Sequence, residues 1–406
     1  MTQNIIIVGT SAAGLSCAAK LVSLRKSASL SMSRITMLSA EQDLPYNKCL
    51  LADYCAGSKT LQDIATRPAE FFTANDITLR LGTTVTQIDP ASRSIWSHTG
   101  EQLRYDWLVL AVGLQPTSLP ASLQADGLSG LYYFHRLQDV DGIISYIAQH
   151  NPLQAVVIGA GLSGLEAADA LRQRGLAVTI IEAASQLLPR QIDAASAAFV
   201  QTAMEAAGIR VLLGRGVTAI GQQQGVVTSV TVATGETIAC GLVVVAVGSQ
   251  PPAELFAQAS LTMSHGRLVV DRYMRTNQER ILAAGDCCMT VHAHTQEPTP
   301  TTLWPDAIVQ GMHAAQTIAG ALVSYGGVLP AVSSTIAGVT MHAAGVVMTT
   351  DSGWQILQKC HNFSYHRILI DQNRIVRGFV LLNDRASLPT VRRSFVTSMP
   401  LEGEWL

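Results

Sequence analysis

Short apolar runs closed by glycine recur along this chain. They are Ile5-Ile-Ile-Val8 before Gly9, Trp107-Leu-Val-Leu-Ala111-Val before Gly113, Ala155-Val-Val-Ile158 before Gly159, Leu242-Val-Val-Val-Ala246-Val before Gly248, and Ile281-Leu-Ala283-Ala before Gly285. Runs that are apolar at every position and cut off by a turn residue predict strands of a parallel sheet, buried on both faces. After Gly9 and Gly159 the chain becomes alanine-rich, over Leu15 to Leu24 and again beyond Gly164, which predicts a helix each time. Each helix leads to a further apolar run, Ile35 to Ser39 and Val178 to Ile181, so the chain contains two βαβ units. The pair Leu-Val-Leu-Ala-Val-Gly-Leu-Gln-Pro116 and Val-Val-Val-Ala-Val-Gly-Ser-Gln-Pro251 repeats one turn and points to duplicated halves.

Between these units, Ile77 to Asp89, Ser94 to Trp96 and Leu103 to Trp107 predict short strands in the first half. Gly208 to Val217, Val226 to Thr231 and Thr237 to Cys240 predict them in the second. Trp304-Pro-Asp306 starts a helix running to about Gly320. A Gly/Ser-rich stretch near Ser324 to Ser334 marks a boundary, beyond which Thr340 to Thr349, Asn362 to Asp371 and Ile375 to Asn383 alternate like antiparallel strands, with helix at the end.

The length of 406 residues implies two or three domains at about 150 residues each. Only 14% of residues are charged against 48% apolar, with net charge −2 and no basic run, so neither nucleic acid nor an anionic membrane surface is an expected partner. The chain enters its first strand without a leader-like segment, and no apolar run approaches the ~20 residues of a spanning helix; a cytoplasmic location is expected. Seven cysteines in no framework spacing argue against structural disulfides and leave room for one reactive thiol. His292-Ala-His294 lacks further ligands nearby and reads as a polar loop, so no metal is expected.

The glycine turns carry the chemistry. In Gly159-Ala-Gly161-Leu162-Ser163-Gly164, Gly159 permits the turn, and Gly161 lets backbone N–H groups, those of Leu162 and Ser163 among them, reach a pyrophosphate. Gly164 allows helix and strand to pack closely. Glu182, at the end of the next strand, is placed to accept from an adenosine ribose 2′-hydroxyl. Ala183 and Ala184 occupy positions where an NADP site needs a cation, so NADH is preferred. Gly9-Thr-Ser11-Ala12-Ala13-Gly14 is the same device with serine for the middle glycine. Its second strand ends in Ser39 rather than an acid; Glu41 is the candidate ribose acceptor there, or the ribose is held another way.

Two dinucleotide fingerprints, two Ala-Val-Gly-x-x-Pro turns and a Thr276 to Asp286 strand, in this order, resemble the FAD-dependent pyridine nucleotide-disulfide oxidoreductases over residues 4 to about 320. The resemblance implies an α/β fold of two Rossmann-like FAD- and NAD(P)-binding domains, each a three-layer ββα arrangement, plus a small α+β C-terminal domain. The FAD-binding domain would comprise 1–115 and 246–328, the NADH-binding domain 116–245 and the C-terminal domain 329–406. Gly9, Ser11, Ala12, Ala13 and Gly14 would meet the FAD pyrophosphate, with Ala111, Gly113, Gly248 and Gly285 at the surrounding turns. Asp286 would bond the ribityl chain, the helix after Trp304 would point its N-terminus at the flavin pyrimidine ring, and Glu166 would lie near the nicotinamide.

Tyr46-Asn47-Lys48-Cys49 resembles two branches of that family at once. One uses a single cysteine facing the flavin, as in coenzyme A-disulfide reductase and NADH oxidase; Lys48 and a helix dipole would then activate the Cys49 thiol. The other, the NADH:rubredoxin reductase and nitrite-reductase-like branch, uses no redox cysteine, and Lys48 with Glu166 would serve the flavin. The short C-terminal part favours the second branch, and Ala12 stands where the oxidase and peroxidase branch has a histidine. Absence of Cys-x-x-Cys argues against the dithiol mechanism, and the adjacent Cys287 and Cys288 read as small packing residues. The expected function is electron transfer from NADH through FAD to a small redox protein. The alternatives are a low-molecular-weight disulfide reductase or NADH oxidase using Cys49, and a FAD-binding sensor without turnover. Relatives of both branches include homodimers.

Overall fold

A computed structural model describes residues 3–25, 33–123, 127–348, 353–361 and 363–402. Thr349, Asn362 and the last four residues, on which parts of the C-terminal strand and helix expectations fall, lie outside the described residues. The chain divides into two compact units, one of 1–51, 60–115 and 249–330, the other of 52–59, 116–248 and 331–406.

In the first unit the apolar runs become a five-stranded parallel sheet in the order Ile281–Ala283, Trp107–Leu110, Gln3–Val8, Ser33–Leu38, Ile77–Arg80. Ile5, Ile7, Leu108, Val109 and Leu110 are fully buried, as strands covered on both faces must be. The stretch from Ile77 to Asp89 splits at Gly82, which has φ +64°. The part before it joins the parallel sheet, and Val85–Asp89 opens an antiparallel meander with Ser94–Ser97 and Gln102–Arg104. Helix Ala12–Leu24 crosses helix Trp304–Ile318 at Gly311, where an added Cβ would stand 2.1 Å from the Ala13 carbonyl oxygen. Ser16 Oγ closes the crossing by donating to the Ala13 and Ile308 carbonyls.

The second unit repeats the plan: a parallel sheet in the order Arg210–Leu212, Ala177–Ile181, Gln154–Ile158, Leu242–Val245, Leu131–Tyr133, with a meander of Val217–Gln223, Val226–Val232 and Thr237–Ala239. To it belongs an antiparallel sheet in the order Ala331–Ile336, Val339–Gly345, Val376–Leu382, Ser364–Ile370, Gln355–His361, covered by helix Leu388–Thr397. Two of these five strands escape the sequence pattern. Ala331–Ile336 overlaps the end of the Gly/Ser-rich stretch, and Gln355–His361 is an edge strand with only Leu357 buried, so it shows no alternation.

In both units the helix after the glycine turn touches the turn itself. A Cβ on Gly14 would stand 1.9 Å from the Gly9 carbonyl oxygen and one on Gly164 2.0 Å from that of Gly159, whereas a Cβ on Gly161 would meet nothing within 4 Å. Substituting Gly164 by alanine therefore forces helix and strand apart, at about 1–3 kcal/mol, and Gly161→Ala does not. Thermal melts should show a Gly164→Ala midpoint several degrees below the parent and a Gly161→Ala midpoint close to it; equal melts would contradict the packing.

Candidate functional site: two nucleotide cradles

In the first unit, Gly9 takes φ +109° and its N–H donates to the Leu38 carbonyl. The chain turns under Ala111, whose carbonyl oxygen a Cβ on Gly9 would meet at 2.1 Å. Ser11 then starts helix Ala12–Leu24 in extended conformation without a side-chain cap, leaving the first-turn N–H groups for another acceptor. Ala12, Ala13, Ala111, Ala284 and Ala307 form one small apolar cluster, with Trp304 and Ile308 packed against it. A wall of methyl groups is lower than one of larger side chains and leaves room for a long ligand beside it. Gly113 has φ +61° and Gly285 +85°; the latter packs its backbone within 3.0 Å of the Ala13 methyl, measured from an added Cβ.

Asp286 follows Gly285, and burial pushes its carboxyl pKa up, opposed by the positive charges of Arg267 and Lys48. Arg267 also donates through its guanidinium to the Asp286 and Thr301 carbonyls. Gln310, fully buried, accepts from the Gly285 N–H at 2.8 Å and donates to Thr301 Oγ1 at 2.6 Å. Helix Trp304–Ile318 starts at Leu303 without a side-chain cap, so its positive end is also open to an acceptor.

The loop from Glu41 to Cys49 closes on itself. Tyr46 donates its hydroxyl to Glu41 Oε2 at 2.6 Å, and Lys48 Nζ lies 3.1 Å from Glu41 Oε1, with side chains 30% and 16% exposed. Asn47 Oδ1 accepts from the Cys49 N–H at 3.0 Å at the start of the turn Lys48–Leu50. Ser39, at the strand end where a ribose-binding acid is usual, is buried and its Oγ accepts from the Glu41 N–H. Cys49 is exposed. By contrast, burial pushes the Cys17 and Cys240 thiols up to about 12 and Cys55 up to about 11, which keeps them protonated and inert. Cys287 and Cys288 are fully buried with sulfur atoms 3.9 Å apart and unbridged.

In the second unit Gly159 has φ +102° and donates to the Ile181 carbonyl, and Gly161 starts helix Leu162–Gln173 without a side-chain cap. Ser163 is exposed and Leu162 half-buried at that helix start. Glu182 reaches back to this turn: Oε2 accepts from the Ala160 N–H at 2.7 Å and Oε1 from the Ala184 N–H at 2.8 Å. Gly248, at φ +105°, closes the sheet end with open space around it. Glu166, one helical turn further, has its pKa raised by burial; Ser334 opposes the shift by donating to Oε1 at 2.7 Å, and the negative charge of Asp53 adds to it.

The structure thus brings Gly9, Ser11, Ala12, Ala13, Gly14, Ala111, Gly285, Asp286 and Trp304 to one end of the first sheet. It brings Gly159, Gly161, Leu162, Ser163, Gly164, Glu166 and Glu182 to one end of the second. Sequence reasoning missed Arg267, Gln310 and Ser334. A glutamine on the small-residue face of the last helix of that unit, with Ala307, Gly311 and Ala314, is the one signal in the sequence; Arg267 and Ser334 act through hydrogen bonds to distant segments and leave none.

The sequence matches the family model described as pyridine nucleotide-disulphide oxidoreductase over residues 3–316. It is 33% identical over 286 residues to rhodocoxin reductase of Rhodococcus erythropolis, covering 70% of this chain and 65% of that protein. It is 31% identical over 287 residues to rubredoxin-NAD(+) reductase of Pseudomonas putida, covering 70% and 73%. The chain spans about two thirds of the length of the first of these relatives. The fold superposes on a crystal structure of the covalent putidaredoxin reductase–putidaredoxin complex with a TM-score of 0.86 at 24% identity, covering 97% of this chain and 93% of that one. Twin glycine turns at the ends of two parallel sheets, over a span that the family model matches almost from end to end, place this chain in the pyridine nucleotide-disulphide oxidoreductase family.

Proposed function

We propose that the chain binds FAD in its first unit and NADH in its second, and passes electrons from NADH to a small redox protein. The observation that carries this is the presence of two complete cradles, each a positive-φ glycine, an uncapped helix start and a close-approach glycine. A dinucleotide fits both, because uncapped N–H groups at a helix start favour a pyrophosphate. FAD fits the first in particular: the alanine wall flanks a long ligand, and Asp286 at the same sheet end offers a carboxylate to a polyol. When bound, FAD supplies a group that takes an electron pair from NADH and hands it on to an acceptor.

The chain's own residues bind and orient. Ser11 to Gly14 present N–H groups to the FAD phosphates, with Gly113 and Glu41 at the rim of that cradle, and Gly248 stands at the end of the second sheet; Glu41, bonded by Tyr46 and Lys48, is the carboxylate assigned to a ribose hydroxyl. Gly161 to Gly164 do the same for NADH, and Glu182 accepts from its adenosine ribose. Lys48 and Glu166 are the charged groups assigned to the reacting rings. The named acceptors of the relatives, rhodocoxin and rubredoxin, support a small redox protein as the acceptor here. A second reading, disulfide or oxygen reduction through Cys49, is favoured by one observation: it is an exposed thiol beside Lys48 in the loop of the first unit.

Anaerobic mixing with NADH should bleach the yellow protein rapidly. A protein that takes up FAD yet is not bleached by NADH would be left with a binding role alone. Reductive titration should consume a single electron pair per chain and be unchanged in Cys49→Ser; a second pair, lost in that variant, would establish the thiol reading. Glu182→Gln should raise KM for NADH about tenfold, the worth of one or two hydrogen bonds, with kcat little changed. An unaltered KM would remove Glu182 from nucleotide recognition.

A further inference from the structure

Helix Leu162–Gln173 carries two carboxylates three residues apart, Glu166 and Asp169, on one face, and both are bonded by the hairpin that opens the antiparallel sheet. Ser334 Oγ donates to Glu166 Oε1 at 2.7 Å, and the Ala337 N–H at the hairpin turn donates to Asp169 Oδ2 at 3.2 Å. Asp169 is in turn bonded by Arg172 and Gln173 of its own helix, so the docking point is rigid. Glu166 is left with Oε1 tied and Oε2 without a hydrogen-bond partner among the described residues. The groups that face it from neighbouring elements are Ser334 on strand Ala331–Ile336 and the carboxylate of Asp53, from the segment 52–59. Ser334 lies beyond the span that the family model matches.

We infer that Ser334 is a positioning residue for Glu166: the hairpin fixes one carboxylate oxygen and presents the other to the nicotinamide end of the NADH cradle. The functional part of this inference rests on the NADH reading above. The sign follows from the bond. A hydroxyl that donates to the anion lowers the pKa, so its loss must raise it.

The titration of Glu166 is read directly, by carboxyl carbon NMR of glutamate-labelled protein with the signal assigned by its loss in Glu166→Gln, in the parent, Ser334→Ala and Ser334→Thr. The same three proteins are scanned for the pH dependence of flavin bleaching by NADH. Ser334→Ala should move the Glu166 midpoint to higher pH and carry the limb of the bleaching profile with it, and Ser334→Thr should restore both. A midpoint that does not move overturns the inference, and so does one that moves while the rate profile stays fixed. If the midpoint moves but NADH bleaches no variant, including the parent, the NADH reading itself has failed and Ser334 is reduced to a structural bond.

Discussion

A helix start pressed against the turn that precedes it is the contact on which both halves depend. An added Cβ on Gly14 or Gly164 would lie 1.9 or 2.0 Å from the carbonyl oxygen of a turn glycine whose N–H is bonded to the sheet, so only glycine lets the first helical N–H groups approach the strand end. The turn glycines Gly9 and Gly159 adopt φ values open to glycine alone, and both anchor their N–H to the neighbouring strand, at Leu38 and Ile181. The two units therefore reach the same anion-receptive geometry from different sequences, one with Ser11 and one with Gly161 at the helix start.

Each unit also sets a partly buried carboxyl near its glycine turn, and the two are balanced differently. Burial raises both, but Asp286 is answered by the cations Arg267 and Lys48, and Glu166 by the Ser334 hydroxyl with Asp53 working against it. Burial is the larger effect at Asp286, and the two cations oppose it. At Glu166 no cation among the described residues opposes burial, and the Ser334 hydroxyl is the one group among them that lowers the pKa. Lys48 is shared between these effects: it is paired to Glu41 at 3.1 Å and still contributes to the field at Asp286.

The parallel sheets were legible in the chain because their strands are buried on both sides. Ile5 to Val8 and Ala155 to Ile158 can only be apolar at every position, and the glycines that end them advertise the turn. The C-terminal sheet was legible in part. Its central strands alternate, but Gln355–His361 has only Leu357 buried, and Ala331–Ile336 carries Ser333 and Ser334, which bond His342 and the Glu166 carboxylate. Neither pattern distinguishes strand from loop. Likewise the motifs located both cradles, whereas Ser334 could not be found, since its partner lies 168 residues earlier and a serine carries no sign of which carboxylate it meets. Ser39 and Glu41 show a subtler limit: the acid shifted by two positions is visible, but not that Tyr46 and Lys48 both bind it.

The central claim is that one chain holds two independent dinucleotide sites. Equilibrium dialysis of the purified protein with FAD, and then with oxidised NAD added in excess, tests it most directly. One FAD and one NAD bound per chain, with neither displacing the other, is the predicted result; competition of the two for a single site, or no retention of FAD at all, would contradict the account.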